Sequence, residues 1–174
     1  MKKMRFFVLV SVLFLMVASV EAENICFSPL TAVAVGPAGP PSDLIVSPYC
    51  CPSTAIKVTA SKPVTEDSFQ WVLVGLVAQE KKVIRAVQVC YEVNTKQPGS
   101  TYISQVRLTQ TTTPDSALVI HDDPTNLTST DPVCYTSYVK LPKPRVGGDI
   151  TLELKMVIGN QGDEIRVGGI KLLY

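Results

Sequence analysis

A single histidine and a single tryptophan occur in 174 residues, and aromatic side chains make up only 7% of the chain. Histidine-based chemistry must therefore rest on His121. A sugar platform of stacked rings has little to draw on, since three of the five phenylalanines (Phe6, Phe7 and Phe14) fall within residues 1–22. No Cys-x-x-Cys or His-x-x-x-His spacing is present, so the pattern of a zinc site is missing. No serine stands in a Gly-x-Ser-x-Gly elbow of the kind that presents a hydrolase nucleophile. Charge is scarce and balanced, with 16 Lys and Arg against 15 Asp and Glu. Like charges never run beyond two residues, which excludes the basic stripe of a nucleic-acid surface and the polybasic patch of a membrane-attracted one. No three-turn amphipathic helix can be drawn anywhere.

One long apolar run exists, at the start. Lys2, Lys3 and Arg5 precede Phe6–Val20, and Val20-Glu21-Ala22 follows with small or tolerated residues at the cleavage positions. That order predicts a secretory signal peptide over residues 1–22, too short for the roughly 18–20 residues of a membrane span. No later stretch is long enough to span, so the processed chain has no membrane segment. The expected location is secreted, extracellular or periplasmic. The remaining length suits one domain with its own core.

Five cysteines stay with the exported chain, Cys26, Cys50, Cys51, Cys90 and Cys134. An oxidising compartment favours pairing, and the odd number leaves at least one without an intrachain partner. Cys90 and Cys134 both sit between a valine and a tyrosine in strand-like segments, where a cross-link has the short reach it needs. That pair ranks first. Cys26 with Cys50 or Cys51 ranks second, tying an N-terminal arm to the domain.

From Leu30 onward, short β-branched runs alternate with Pro, Gly, Asp and Ser, the habit of an all-β domain. Strands are predicted at 30–35, 55–60, 69–77, 83–93, 102–110, 117–121, 133–139, 150–158 and 165–173. Two show the alternation of a half-buried strand plainly. Val87, Val89, Tyr91 and Val93 oppose Gln88 and Glu92; Ile150, Leu152, Leu154, Met156 and Ile158 oppose Thr151, Glu153 and Lys155. Gln97-Pro98-Gly99-Ser100 reads as a type II turn, and Asn160-Gln161-Gly162-Asp163 as a tight hairpin joining the last two strands. Gly168-Gly169 inside the final strand predicts a bulge. Residues 36–52, with seven prolines and glycines, read as irregular. The expected architecture is a two-sheet antiparallel sandwich of jelly-roll-like topology, with an irregular arm and first strand over residues 23–54 and the core over residues 55–174.

Candidate chemistry is sparse. His121-Asp122-Asp123 ends a strand and opens a loop, so an imidazole stands beside carboxylates that could support general base catalysis. Adjacent strand residues point to opposite faces, however, and Asp-Asp-Pro is ordinary turn chemistry. Asp122, Asp123 and Asp131 offer hard oxygen ligands that suit calcium, without EF-hand spacing; no other cofactor is called for. Tyr102, Tyr135 and Tyr138 are the rings best placed for partial exposure and are the ligand-binding candidates, whereas Trp71 lies in an apolar run that predicts burial. Asn126-Leu127-Thr128 is a glycosylation sequon. The reading that results is an exported, non-catalytic β-sandwich acting through its surface, binding a glycan or an extracellular protein or building an extracellular assembly. The alternative is a small secreted hydrolase or lyase using His121 with a nearby carboxylate. A homo-oligomer joined through an edge strand or an odd cysteine is a third.

Overall fold

The computed structural model describes residues 24–36, 42–50, 53–68, 70–79, 81–140 and 149–174. The signal-peptide segment and Cys51 lie outside the described residues. Within them are β1 (Asn24–Phe27), β2 (Val33–Val35), β3 (Leu44–Pro48), β4 (Ile56–Ala60), β5 (Trp71–Val77), β6 (Ala86–Asn94), β7 (Thr101–Thr113), β8 (Ser116–Asp123), β9 (Val133–Tyr138), β10 (Asp149–Ile158) and β11 (Glu164–Leu173).

Two antiparallel sheets stack face to face. Sheet one runs β3-β4-β11-β6-β9, with β1 also paired to β11; sheet two runs β2-β5-β10-β7-β8. From β4 to β11 the chain changes sheet at every connection except β7–β8, so β4-β11-β6-β9 faces β5-β10-β7-β8. This is jelly-roll order, and the expected sandwich is what the chain forms.

Alternation sets the faces. Ile150, Leu152, Leu154, Met156 and Ile158 are all sealed in the core, while Thr151, Glu153 and Lys155 stay partly exposed. A slip of one residue would bury Glu153 and Lys155, which fixes the register against β5 and β7. In β6, Val87, Val89, Tyr91 and Val93 point inward and Gln88, Cys90 and Glu92 outward. The β11–β6 ladder shifts between Val167 and Ile170, the bulge that Gly168-Gly169 foretells.

Four expectations need correction. Residues 36–52 are not wholly irregular: β3 pairs with β4 and buries Leu44. The first predicted strand shortens to Val33–Val35, because Ser28 and Pro29 start a 3-10 turn over Pro29–Thr31. Trp71 points outward, since Val72, Val74 and Leu76 take the core positions of β5. The Asn160–Asp163 turn forms, with Gly162 at φ 94° and the Asp163 N–H donating to the Asn160 carbonyl at 3.2 Å, but it joins strands of different sheets. It is an arch, not a hairpin.

One buried carboxylate ties that arch to the β6–β7 arch. Asp163 is 1% exposed. It accepts hydrogen bonds from Thr101 Oγ1 at 2.6 Å, Thr95 Oγ1 at 2.8 Å, Asn160 Nδ2 at 3.1 Å and the Lys96 N–H at 3.3 Å. Burial pushes its pKa up, but these donors more than reverse that and hold it below the ordinary aspartate range. Beside it, a Cβ on Gly159 would lie 2.5 Å from the Ser100 carbonyl oxygen, so only glycine fits where the two arches touch.

Candidate functional site

The outer face of sheet one carries a cavity of about 330 Å³. Its floor is the Cys90–Cys134 disulfide, which joins register partners on β6 and β9, together with Gly168 of β11. Both cysteines occupy outward positions, and the absence of a side chain at Gly168 leaves the floor open. Tyr49, Ser53 and Ala55 form one wall, from the turn that links β3 to β4. That turn is held by the Tyr49 N–H donating to the Ala55 carbonyl at 2.9 Å. Pro132 and Val133 form another wall. Pro132 ends the β8–β9 loop and Val133 opens β9, and the loop delivers them there because it is anchored upstream. Leu127 is buried and exchanges backbone hydrogen bonds with Ile103, and the Ser129 carbonyl accepts from the Val93 N–H at 2.9 Å.

Charge enters through Arg166 and Glu92, outward residues of adjacent strands in register. Arg166 Nη1 donates to Glu92 at 2.9 Å, and its Nε donates to Glu164 at 2.8 Å. Its guanidinium carbon lies 4.5 Å from the centroid of the Tyr49 ring, in cation–π range. Burial opposes the arginine's charge, but the two carboxylates outweigh it and hold the guanidinium more firmly protonated than usual. Lys57 completes the row, 4.0 Å from Glu164. The result is an apolar bowl with one acid–base pair on its wall. Pockets that bind small molecules have this balance, and a volume of about 300–1,000 Å³.

Of the residues singled out from sequence, Cys90 and Cys134 form the expected disulfide and line this pocket, whereas the catalytic, metal and tyrosine candidates are not among its lining residues. His121 is 6% exposed, and its Nε2 is 2.7 Å from Ser137 Oγ. Ser137, itself buried, donates to Asp123, which also accepts from the Tyr135 hydroxyl at 2.8 Å. The serine thus stands between histidine and aspartate. A nucleophilic triad needs the histidine in the middle and the serine open to substrate, and neither holds. Burial pushes the His121 pKa down, against the pull of Asp123 and Asp122, so the ring favours its neutral form. Asp123 is held low despite burial by Ser137, Thr125 and Tyr135. The network stitches edge strand β8 of one sheet to edge strand β9 of the other.

Asp122 points the other way, to Gln105 and, at 3.1 Å, to Arg107. Arg107 also faces Glu153 at 3.7 Å and sits 4.7 Å from the Trp71 ring centroid on the outer face of sheet two. The calcium candidates Asp122, Asp123 and Asp131 therefore do not converge. Among the described residues, no three His, Cys, Asp or Glu side chains are placed to hold a metal. The tyrosine candidates are likewise apart. Tyr102 is on β7 of sheet two, where burial and then Glu66 raise its pKa. Tyr135 packs inward against the core, and Tyr138 is 71% exposed on the opposite face of β9. Cys26 is an exposed free thiol, so the second expected cross-link is not made, and β1 is secured by its ladder to β11. Cys50 is exposed as well. Asn126 of the sequon is exposed.

Sequence reasoning missed Tyr49, Glu92, Arg166 and Gly168. Parity puts Cys90 and Glu92 on one outward face, but it does not say that β11 lies beside β6.

Fold and site together define a jelly-roll sandwich with a pocket on a sheet face. No protein-family model and no curated protein matches the chain. Among solved structures it is similar to a CBM4 protein, at 12% identity and a TM-score of 0.49, covering 80% of this chain and 84% of that one. It is also similar to a family 29 carbohydrate-binding module complexed with mannohexaose, at 11% identity and a TM-score of 0.49, covering 88% and 93%. A family 35 carbohydrate-binding module from Clostridium thermocellum follows, at 10% identity and a TM-score of 0.47, covering 87% and 98%. At such identities the likeness concerns the course of the chain. Among the described residues no helix is long and apolar enough to cross a membrane.

Proposed function

We propose that this is an exported, non-catalytic β-sandwich that binds a saccharide in the pocket between Tyr49, Glu92, Arg166 and the Cys90–Cys134 disulfide. The observation that carries the reading is the amphipathic lining of that pocket. A pyranose ring has an apolar C–H face and a rim of hydroxyls. Tyr49, Ala55, Val133 and the disulfide match the face, and Glu92, Arg166 and Ser53 match the rim. Export fits the disulfide and the N-terminal segment. The enzyme alternative loses its residue, because His121 and Ser137 lie buried and away from the pocket. A protein partner or a second copy would find its surface on the β7–β8 hairpin, where Leu118 and Val119 are 52% and 50% exposed.

The test is calorimetric titration with soluble oligosaccharides. Gly168→Leu fills the floor at a backbone that tolerates a side chain, and should abolish binding while leaving the circular-dichroism spectrum unchanged. Tyr49→Ala should weaken it about tenfold, from the loss of roughly 1.4 kcal/mol of ring contact. Unchanged affinity in both variants would remove the pocket from the account.

A further inference from the structure

Given that reading of the pocket, we infer that its ligand is an uncharged saccharide, and that the site discriminates against sugars bearing carboxylate groups. The argument is one of charge. Among the described residues that line the cavity, Arg166 is the one cation. Its charge is already committed, to Glu92 at 2.9 Å, to Glu164 through two of its nitrogens at 2.8 Å and 2.5 Å, and to the Tyr49 ring at 4.5 Å. Lys57, the next cation along the face, is engaged with the same Glu164. An anionic ligand thus meets a guanidinium flanked by two carboxylates, one of which, Glu92, lines the pocket directly.

Hydrogen-bond chemistry points the same way. An ionised carboxylate only accepts, so Glu92 asks its ligand for donors. Sugar hydroxyls supply them. A carboxylated sugar replaces a hydroxymethyl donor with an acceptor and sets one negative charge against another in a half-buried site, where like charges are costly.

A matched pair isolates the effect, because oligogalacturonates and the neutral α-1,4-linked galacto-oligosaccharides made by reducing their carboxyl groups differ only at C6. Titration of the whole protein with each, followed by calorimetry and by backbone NMR shifts, should show the neutral series binding at Tyr49, Glu92 and Gly168. The acidic series should bind about 100-fold more weakly or not at all. Glu92→Gln should raise the ratio of acidic to neutral affinity about tenfold. Should that variant fail to fold, about 0.5 M salt on the wild type should narrow the gap by screening. Oligogalacturonate binding as tightly as its neutral partner, at the same residues, would overturn the inference and leave the pocket standing as a sugar site. If neither series, nor a gluco- or xylo-oligosaccharide, shifts the pocket residues, the saccharide reading itself falls and takes this inference with it.

Discussion

Asp163→Ala is expected to cost more stability than Tyr49→Ala or Gly168→Leu, although the residue lies outside the pocket. The side chain is sealed from solvent and collects five donors from both arches. A hydrogen bond to a buried charge contributes about 1.5–3 kcal/mol, and contributions within one network do not simply add. Removing the carboxylate also leaves Thr101 and the Lys96 amide without their acceptor. The total should be about 3–5 kcal/mol, comparable to breaking a buried ion pair. For a domain of this size that lowers the melting temperature by about 10 °C. Scanning calorimetry and urea titration at pH 7 measure it. Asp163→Asn keeps the volume but turns an acceptor into a donor, and should lose about 2 kcal/mol. The carboxyl's pKa is depressed in the folded protein, so its contribution is complete above the unfolded aspartate value of about 3.9 and disappears as pH falls through the folded value. The gap between wild type and Asp163→Asn should therefore close on acidification below about pH 4. An alanine variant melting within about 2 °C of wild type would refute the claim that this carboxylate holds the arches together.

Gly159→Ala drives a methyl against the Ser100 carbonyl, and should cost about 1–3 kcal/mol in a urea titration; a silent substitution would mean the arches are not in close contact. His121 has a folded pKa below its unfolded value, so the unfolded chain takes up the proton first and stability should fall as pH drops below about 6.5. Melting curves at pH 7 and pH 5 should show that loss in wild type and a flatter response in His121→Gln. Replacing both Cys90 and Cys134 by serine opens a 44-residue separation and should lower stability by about 4 kcal/mol in the loop-entropy account; equal stability would show that the β6–β9 ladder suffices alone.

Strand identity was legible wherever one face is buried, because Ile150 to Ile158 and Val87 to Val93 announce their own orientation. Partnership was not. The same Gly162 turn that suits a hairpin also serves an arch, and what separates the cases is Asp163, whose donors Thr95 and Thr101 lie far back in the sequence. β3 escaped notice because Pro48 and the surrounding prolines mask a short edge strand whose regularity comes from pairing with β4. Glu92 and Arg166 were invisible as a pair for the same reason, being neighbours only once β11 is laid beside β6. His121 drew attention through its isolation, yet its partner Ser137 shows it to be a seam between sheet edges.

Isotope-edited NMR of the processed protein titrated with neutral oligosaccharides tests the central proposal most directly. Saturable shifts should gather at Tyr49, Glu92, Cys134, Arg166 and Gly168, with the outer face of sheet two silent. Shifts centred instead on Trp71, Arg107 and Glu153 would contradict the account and move the binding surface to the opposite side of the sandwich.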